Sequence, residues 1–199
     1  MGDVMNDLLE KFQEYKSIVN YKMKYLLENG LEVEFKLKQT DFPHLIGLHK
    51  LVDIPLIRKF NDKNNKTVSA KYIIAKIKKQ NILTGELIRK SHYYSDIEER
   101  YSQFTRDNLL TVSYTDAVIN FDASLIGSKL SADYILFENK MDGINHLCVA
   151  KSSNGQRYAE SYFHNSTDLY IRNQQIVKVK QVVIYDAKGK LYLQDDLSY

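Results

Sequence analysis

The 199-residue chain is 44% hydrophobic, enough to bury a sizeable core in one domain, and its 28 Lys and Arg against 25 Asp and Glu leave a net charge of only +3. That balance does not by itself establish nucleic-acid binding, although it permits a local basic surface. The single cysteine, Cys148, excludes an intramolecular disulfide; with no signal-like apolar run in Met1–Glu10 and none near the roughly 20 residues needed to span a bilayer, a cytoplasmic protein without membrane contact is expected.

Leu8, Phe12, Tyr15, Val19, Met23 and Leu26 recur at three- and four-residue steps. This spacing predicts one long helix over about 3–29, with Asn29-Gly30 as its stop. Leu31–Lys38 alternates apolar and charged residues as a half-buried strand does.

Asp41 and Pro43 then open DFPHLIGLHKL, residues Asp41–Leu51, with the chemistry of a short helix start. On a continuous helix Leu45, Leu48, Leu51 and Val52 share an apolar face, and His49 lies about 140° around from His44. Two diverging histidines with no intervening glutamate do not make an HExxH-type metal pair. Gly47 costs such a helix up to about 1 kcal/mol against alanine, which points to a close approach of backbone or ligand, or to packing.

Further along, Thr67 is placed to cap a helix through Lys71, Ile74 and Ile77, Thr84-Gly85 to open a short one, and Asp96 to about Asn108 to form another with Ile97, Tyr101 and Phe104 on one face. From Leu110 the pattern becomes short β-prone runs: Ala117–Phe121, Tyr134–Phe137, His146–Ala150, Tyr158–Phe163, Leu169–Ile171, Ile176–Tyr185 and Lys190–Leu193. Their separators, Asp142-Gly143, Ser153-Asn154-Gly155 and Lys188-Gly189, are hairpin signals. The expected fold is a single α+β domain over residues 1–199, a helical N-terminal half packed on an antiparallel sheet formed by the C-terminal half.

The chain contains no GxxxxGK[ST], GxGxxG or GxSxG motif, so nucleotide hydrolysis, dinucleotide chemistry and a serine nucleophile on an elbow have no support. In AESYFHN, Ser161 and Phe163 share one strand face, and Tyr162 and His164 share the other. Ser161 reads as a sheet hydroxyl, and Arg172 as a phosphate clamp or an exposed strand arginine. His146 reads as structural, His92 in SHYY as part of a helix entry, Cys148 as an inert buried thiol, and Lys76, Lys78 and Lys79 as a solvated helix face or a phosphate track. The 15 tyrosines and eight phenylalanines either stack on bases or build strands.

Taken together, EVEFKLK, FPHLIGLHKL, SDIEERYSQF, ADYILF, HLCVAK and ESYFHN with DLYIRNQ resemble a phage- and mobile-element-associated branch of the barnase, EndoU, colicin and RelE (BECR-fold) nucleases, the fourth PBECR type. The resemblance covers most of the chain after Leu31, and FPHL-GLHKL is its most specific part. It implies a metal-independent endoribonuclease with no cofactor and no metal site, in which the ribose 2′-OH attacks phosphorus to leave a 2′,3′-cyclic phosphate. On that analogy His49 or His44 does acid/base work, Lys50 and Arg172 stabilise phosphate, Ser161 positions it, and Phe163, Tyr170 and Lys151 contact substrate. The implied partners are RNA, with tRNA among the candidates, and an antitoxin, immunity or other protein, as suits a toxin or phage effector. The alternative is a catalytically inactive RNA- or protein-binding module derived from the same fold, with the long first helix as a docking element.

Overall fold

The computed structural model describes residues 7–61, 67–79, 82–110 and 113–197. The first helix, α1 (Asp7–Lys16), buries Leu8, Phe12 and Tyr15 and then stops. Residues 22–27, expected to continue it, form β1 (Lys22–Leu27), and Met23, Tyr25 and Leu27 alternate inward. Met23 fits a helical stripe and a period-two pattern equally, so the local sequence does not discriminate between them; pairing with two other strands does. Asn29-Gly30 is correspondingly the turn of a hairpin into β2 (Glu32–Lys36), with Gly30 at φ +83°, and not a helix stop.

A helical layer follows. It comprises α2 (Phe42–Leu45), a 3₁₀ turn at Leu48–Lys50, α3 (Pro55–Asn61), α4 (Ala70–Lys78), α5 (Gly85–Arg89), α6 (Glu98–Gln103) and α7 (Arg106–Leu109). Thr84 caps α5 by accepting from Leu87 N, as expected, whereas α4 is capped by Ser69 rather than Thr67. The helix expected over 96–108 is interrupted: Thr105 leaves the helix, caps α7 by accepting from Asn108 N, and divides the segment in two.

The remaining strands are β3 (Asp116–Ile119), β4 (Tyr134–Lys140), β5 (Gly143–Lys151), β6 (Arg157–Asn165), β7 (Gln175–Tyr185) and β8 (Leu191–Asp196). Leu169–Ile171 is a turn and not a strand, with the N–H groups of Ile171 and Arg172 both donating to Asp168 O. The antiparallel sheet runs β2-β1-β7-β3-β4-β5-β6. One edge of β7 pairs with β1, while the other takes β3 along its first half and β8 along its second. The sheet therefore does not belong to the C-terminal half alone, because β1 and β2 supply one of its flanks. It curls until β2 approaches β6, leaving a groove of about 360 Å³ between Phe35–Lys38 and Gly155–Arg157.

The main core lies between one face of this sheet and the helices. Leu136, Leu147 and Tyr162, directly opposite one another on β4, β5 and β6, form a fully buried row across it. Two residues further along the same face, the row becomes Glu138, Asn145 and His164. The other face carries a smaller cluster around Val118, Ile135, Cys148 and Phe163. Helices α2 and α6 pack on the edge strand β6, which brings the His44–Lys50 segment and Arg100 beside Phe163 and His164.

Candidate active site

Gly47 shapes the first wall. It stands at φ +86°, in the left-handed region that side-chain-bearing residues enter at a cost, and it ends α2 before the chain re-enters a 3₁₀ turn at Leu48. The segment is therefore not one continuous helix, and the expected divergence of the two histidines does not occur. Their ring centroids are 5.1 Å apart, and His44 also packs on Phe60 at 4.9 Å.

Burial lowers the basicity of His44, and it pushes His49 down to about 3 with help from His44, Arg100 and Lys50. His49 Nδ1 is buried without a hydrogen-bond partner among the described residues. His49 is thus neutral at physiological pH, held so by desolvation and the positive charge around it, and desolvation favours the neutral form of His44 as well.

Arg100 is the centre of the arrangement. It lies on α6 on the same stripe as Ile97, Tyr101 and Phe104, and only 7% of it is exposed. Its guanidinium passes over Phe163 at 5.6 Å from the ring centroid, and Phe163 stacks in turn on His146 at 4.7 Å with Tyr170 against it at 4.5 Å. Nε and Nη1 are buried with no hydrogen-bond partner among the described residues. Burial lowers Arg100 to about 10, a large displacement for a guanidinium. A buried cation without a counter-charge costs several kcal/mol, about 3–5 by analogy with broken buried pairs. An anion supplied from outside would offset that cost.

A cavity of about 180 Å³ opens beside it, lined by Lys50, Asp96, Glu99, Arg100, His164 and Tyr170 together with Ser95, Phe163 and Asn165. Lys50 Nζ reaches Asp96 O at 3.4 Å, and desolvation followed by repulsion from Arg100 lowers its basicity. His164 projects from the polar row at the end of the core face. Its Nδ1 lies 2.8 Å from Asn145 Oδ1, and its Nε2 lies 3.3 Å from Glu99 Oε1 and 3.3 Å from Asp142 O. One cavity therefore holds two cations, an imidazole and two exposed acidic residues, Asp96 and Glu99. Among the described residues no group of three or more His, Cys, Asp or Glu is placed to hold a metal ion.

Of the residues singled out from sequence, Lys50, Phe163 and Tyr170 line this cavity, and His49 adjoins it through its electrostatic contact with Arg100 and Lys50. His44 sits behind His49. The other three are placed elsewhere. Ser161 is buried on β6 opposite Cys148 and does not line the cavity. Arg172 is exposed and forks onto Asp168 at 2.6 Å. Lys151 is exposed at the end of β5, its N–H donating to Asp133 Oδ2 at 2.6 Å. Arg100, Glu99 and His164 were not identified from sequence as site residues. A signal existed for Arg100, a charge at the i+3 position of an apolar helical stripe, and one for His164, which shares the inward face of β6 with Tyr162.

Residues 7–196 match the model of the phage-Barnase-EndoU-ColicinE5/D-RelE like nuclease4 family, PBECR4. The chain is a member of PBECR4. Neither the curated proteins nor the solved structures contain a match to it. Membership makes it a nuclease by family, and the mixed α and antiparallel β architecture fits that class. In this PBECR4 protein no helix among the described residues is long and apolar enough to cross a membrane.

Proposed function

We propose that this PBECR4 protein is an endoribonuclease that cleaves by internal transphosphorylation, without a metal, in the cavity between α6 and β6. One observation carries the reading: Arg100 presents a buried guanidinium with unpartnered nitrogens beside Lys50 and an imidazole, an electrostatic vacancy that fits a phosphodiester. In this reading Arg100 and Lys50 hold the non-bridging oxygens and stabilise the charge that develops on the phosphorane. Glu99 takes the 2′-OH proton as the oxygen attacks phosphorus. His164, as imidazolium, gives a proton to the departing 5′-oxygen, and the products are a 2′,3′-cyclic phosphate and a 5′-hydroxyl.

His49 is the second candidate for proton acceptor, because its buried Nδ1 is unpartnered and its ring is neutral. Entry of a phosphate beside Arg100 and Lys50 would cancel part of the charge that depresses it. The comparison of Glu99→Gln with His49→Gln decides between the two.

The test is cleavage of a mixed RNA pool in EDTA, with the termini identified. Cyclic phosphate ends, and no cleavage of a substrate with 2′-deoxyribose at the scissile position, are the expected result. EDTA-sensitive cleavage, or equal cutting of DNA, would sink the mechanism. RNA binding without cleavage would favour an inactive binding module. A host toxin or phage effector role, acting in the cytoplasm and restrained by an antitoxin or immunity partner, is consistent with this chemistry and is tested by growth arrest on expression.

A further inference from the structure

We infer that the β4–β5 hairpin is a built socket for the His164 ring, in which Asn145 and the Asp142-Gly143 turn fix which nitrogen carries the proton and aim the other at the cavity. The inference deepens the proposed function and rests on it for the role of His164 as proton donor.

Three separate contacts converge on one ring. Asn145, itself 1% exposed, offers its amide oxygen to Nδ1 at 2.8 Å. Both ring nitrogens face acceptors, and the contact of Nδ1 with the Asn145 oxygen at 2.8 Å is shorter than those of Nε2 at 3.3 Å, so the neutral ring keeps its hydrogen on Nδ1 and leaves Nε2 to exchange protons. The Asp142 carbonyl lies 3.3 Å from Nε2, and with Glu99 it provides acceptors for the second N–H when the ring is charged. Gly143 follows Asp142 in the turn, and a Cβ there would come within 2.5 Å of both His164 Nε2 and Asn165 O. Even the smallest side chain would evict the ring.

Cross-strand register makes the socket rigid. Asn145 stands directly opposite His164 on β6 and opposite Glu138 on β4, so one short polar row crosses three strands. Glu138 is buried and tied to Lys140 at 2.5 Å. The fully apolar row of Leu136, Leu147 and Tyr162 lies two residues behind. Preorganisation of this kind removes the ordering cost of a catalytic group at the moment of reaction. The charged and titratable groups around His164 are Glu99 and Arg100 from α6, Asp142 from the turn, Lys50 and Asp96 across the cavity, and His146 on β5.

Imidazole ¹⁵N shifts of the wild-type protein read the tautomer directly. Neutral His164 is expected as the Nδ1–H form, and an Nε2–H form overturns the socket whatever the variants do. In Asn145→Asp, a carboxylate in place of the amide is expected to raise the His164 titration midpoint by about one unit or more. The alkaline limb of the pH–rate profile is expected to follow. In Asn145→Ala, kcat is expected to fall at least tenfold with KM little changed, because binding by Arg100 and Lys50 is untouched. A His164 titration that stays in place in folded Asn145→Asp overturns the inference even if RNA is cleaved. If His164 titrates as expected while His164→Gln cleaves RNA as well as wild type, the socket stands and the assignment of the acid falls.

Discussion

Gly47 and Arg100 are fitted to one another: a methyl group on Gly47 would lie 3.0 Å from Arg100 Cδ and 2.9 Å from Ile97 Cγ2. Gly47→Ala would therefore pay twice, once for a side chain at φ +86° and once for pushing α6 away. The expected destabilisation is about 2–5 kcal/mol, from roughly 1–2 for the left-handed backbone and roughly 1–3 for overpacking. Chemical denaturation measures it. Cleavage measured well below the melting temperature should fall further than the lost folded fraction explains, because Arg100 is displaced.

Removing the guanidinium should separate stability from function. Arg100→Met keeps the stem against Phe163 and deletes a buried charge that has unpartnered nitrogens. Stability is expected to stay level or rise, as when hydrophobic residues replace buried ions. Cleavage is expected to fall by about a hundredfold or more, the usual scale for losing a preorganised transition-state contact. A variant that loses stability but keeps activity would remove Arg100 from the chemistry.

The charged forks at the surface should behave differently. Arg172 already satisfies Asp168 and faces solvent, so Arg172→Ala should leave cleavage of short substrates within a few-fold of wild type. Lys50→Ala should weaken both substrate binding and turnover, because Lys50 lines the cavity. A large loss confined to Arg172→Ala would mean that RNA reaches the 168–174 turn before it reaches Arg100.

Acid should destabilise the fold through its histidines. His49 is pushed down from 6.5 to about 3 on folding and His146 to about 4, each first by burial. The unfolded chain therefore binds more protons below about 6.5, and the associated stability, complete above that pH, is lost as pH falls towards the folded values. Each such group contributes a slope of about 1.4 kcal/mol per pH unit inside its window. Asp41 acts in the opposite sense: burial raises it from 3.8 to about 6, so the folded state holds a proton that the unfolded chain releases, and stability declines as pH rises through that interval. In urea titrations across pH 4–6.5, His49→Gln should flatten the acid slope by about one proton, and Asp41→Asn should steepen it.

The parts of the fold that were legible in sequence are those encoded by neighbours. Asp142-Gly143 and Lys188-Gly189 announced their hairpins, and Thr84 announced α5, because turn and cap chemistry is satisfied within a few residues. β1 was not legible, since Met23 suits either period and Asn29-Gly30 suits either a helix end or a hairpin; its partner β7 lies far along the chain. The FPHLIGLHKL segment revealed its helix start but not its break, which depends on the positive φ of Gly47, so the meeting of His44 with His49 was hidden. Arg100 escaped notice inside a run of charged residues, where only its helical phase distinguishes it from solvated neighbours.

β7 carries a consequence for how the protein comes into being. This one strand holds β1, β3 and β8, and its pairing of Tyr185 with Lys22 joins segments far apart in sequence. Loops that long close late, and sheets built from them assemble slowly. During synthesis, the segments that will carry Lys50, Arg100 and His164 all leave the ribosome before the strand that completes the sheet beneath them. A nuclease built in this way has no finished sheet beneath Lys50, Arg100 and His164 until residues 175–185 have been made, so its site is among the last parts of the fold to be set.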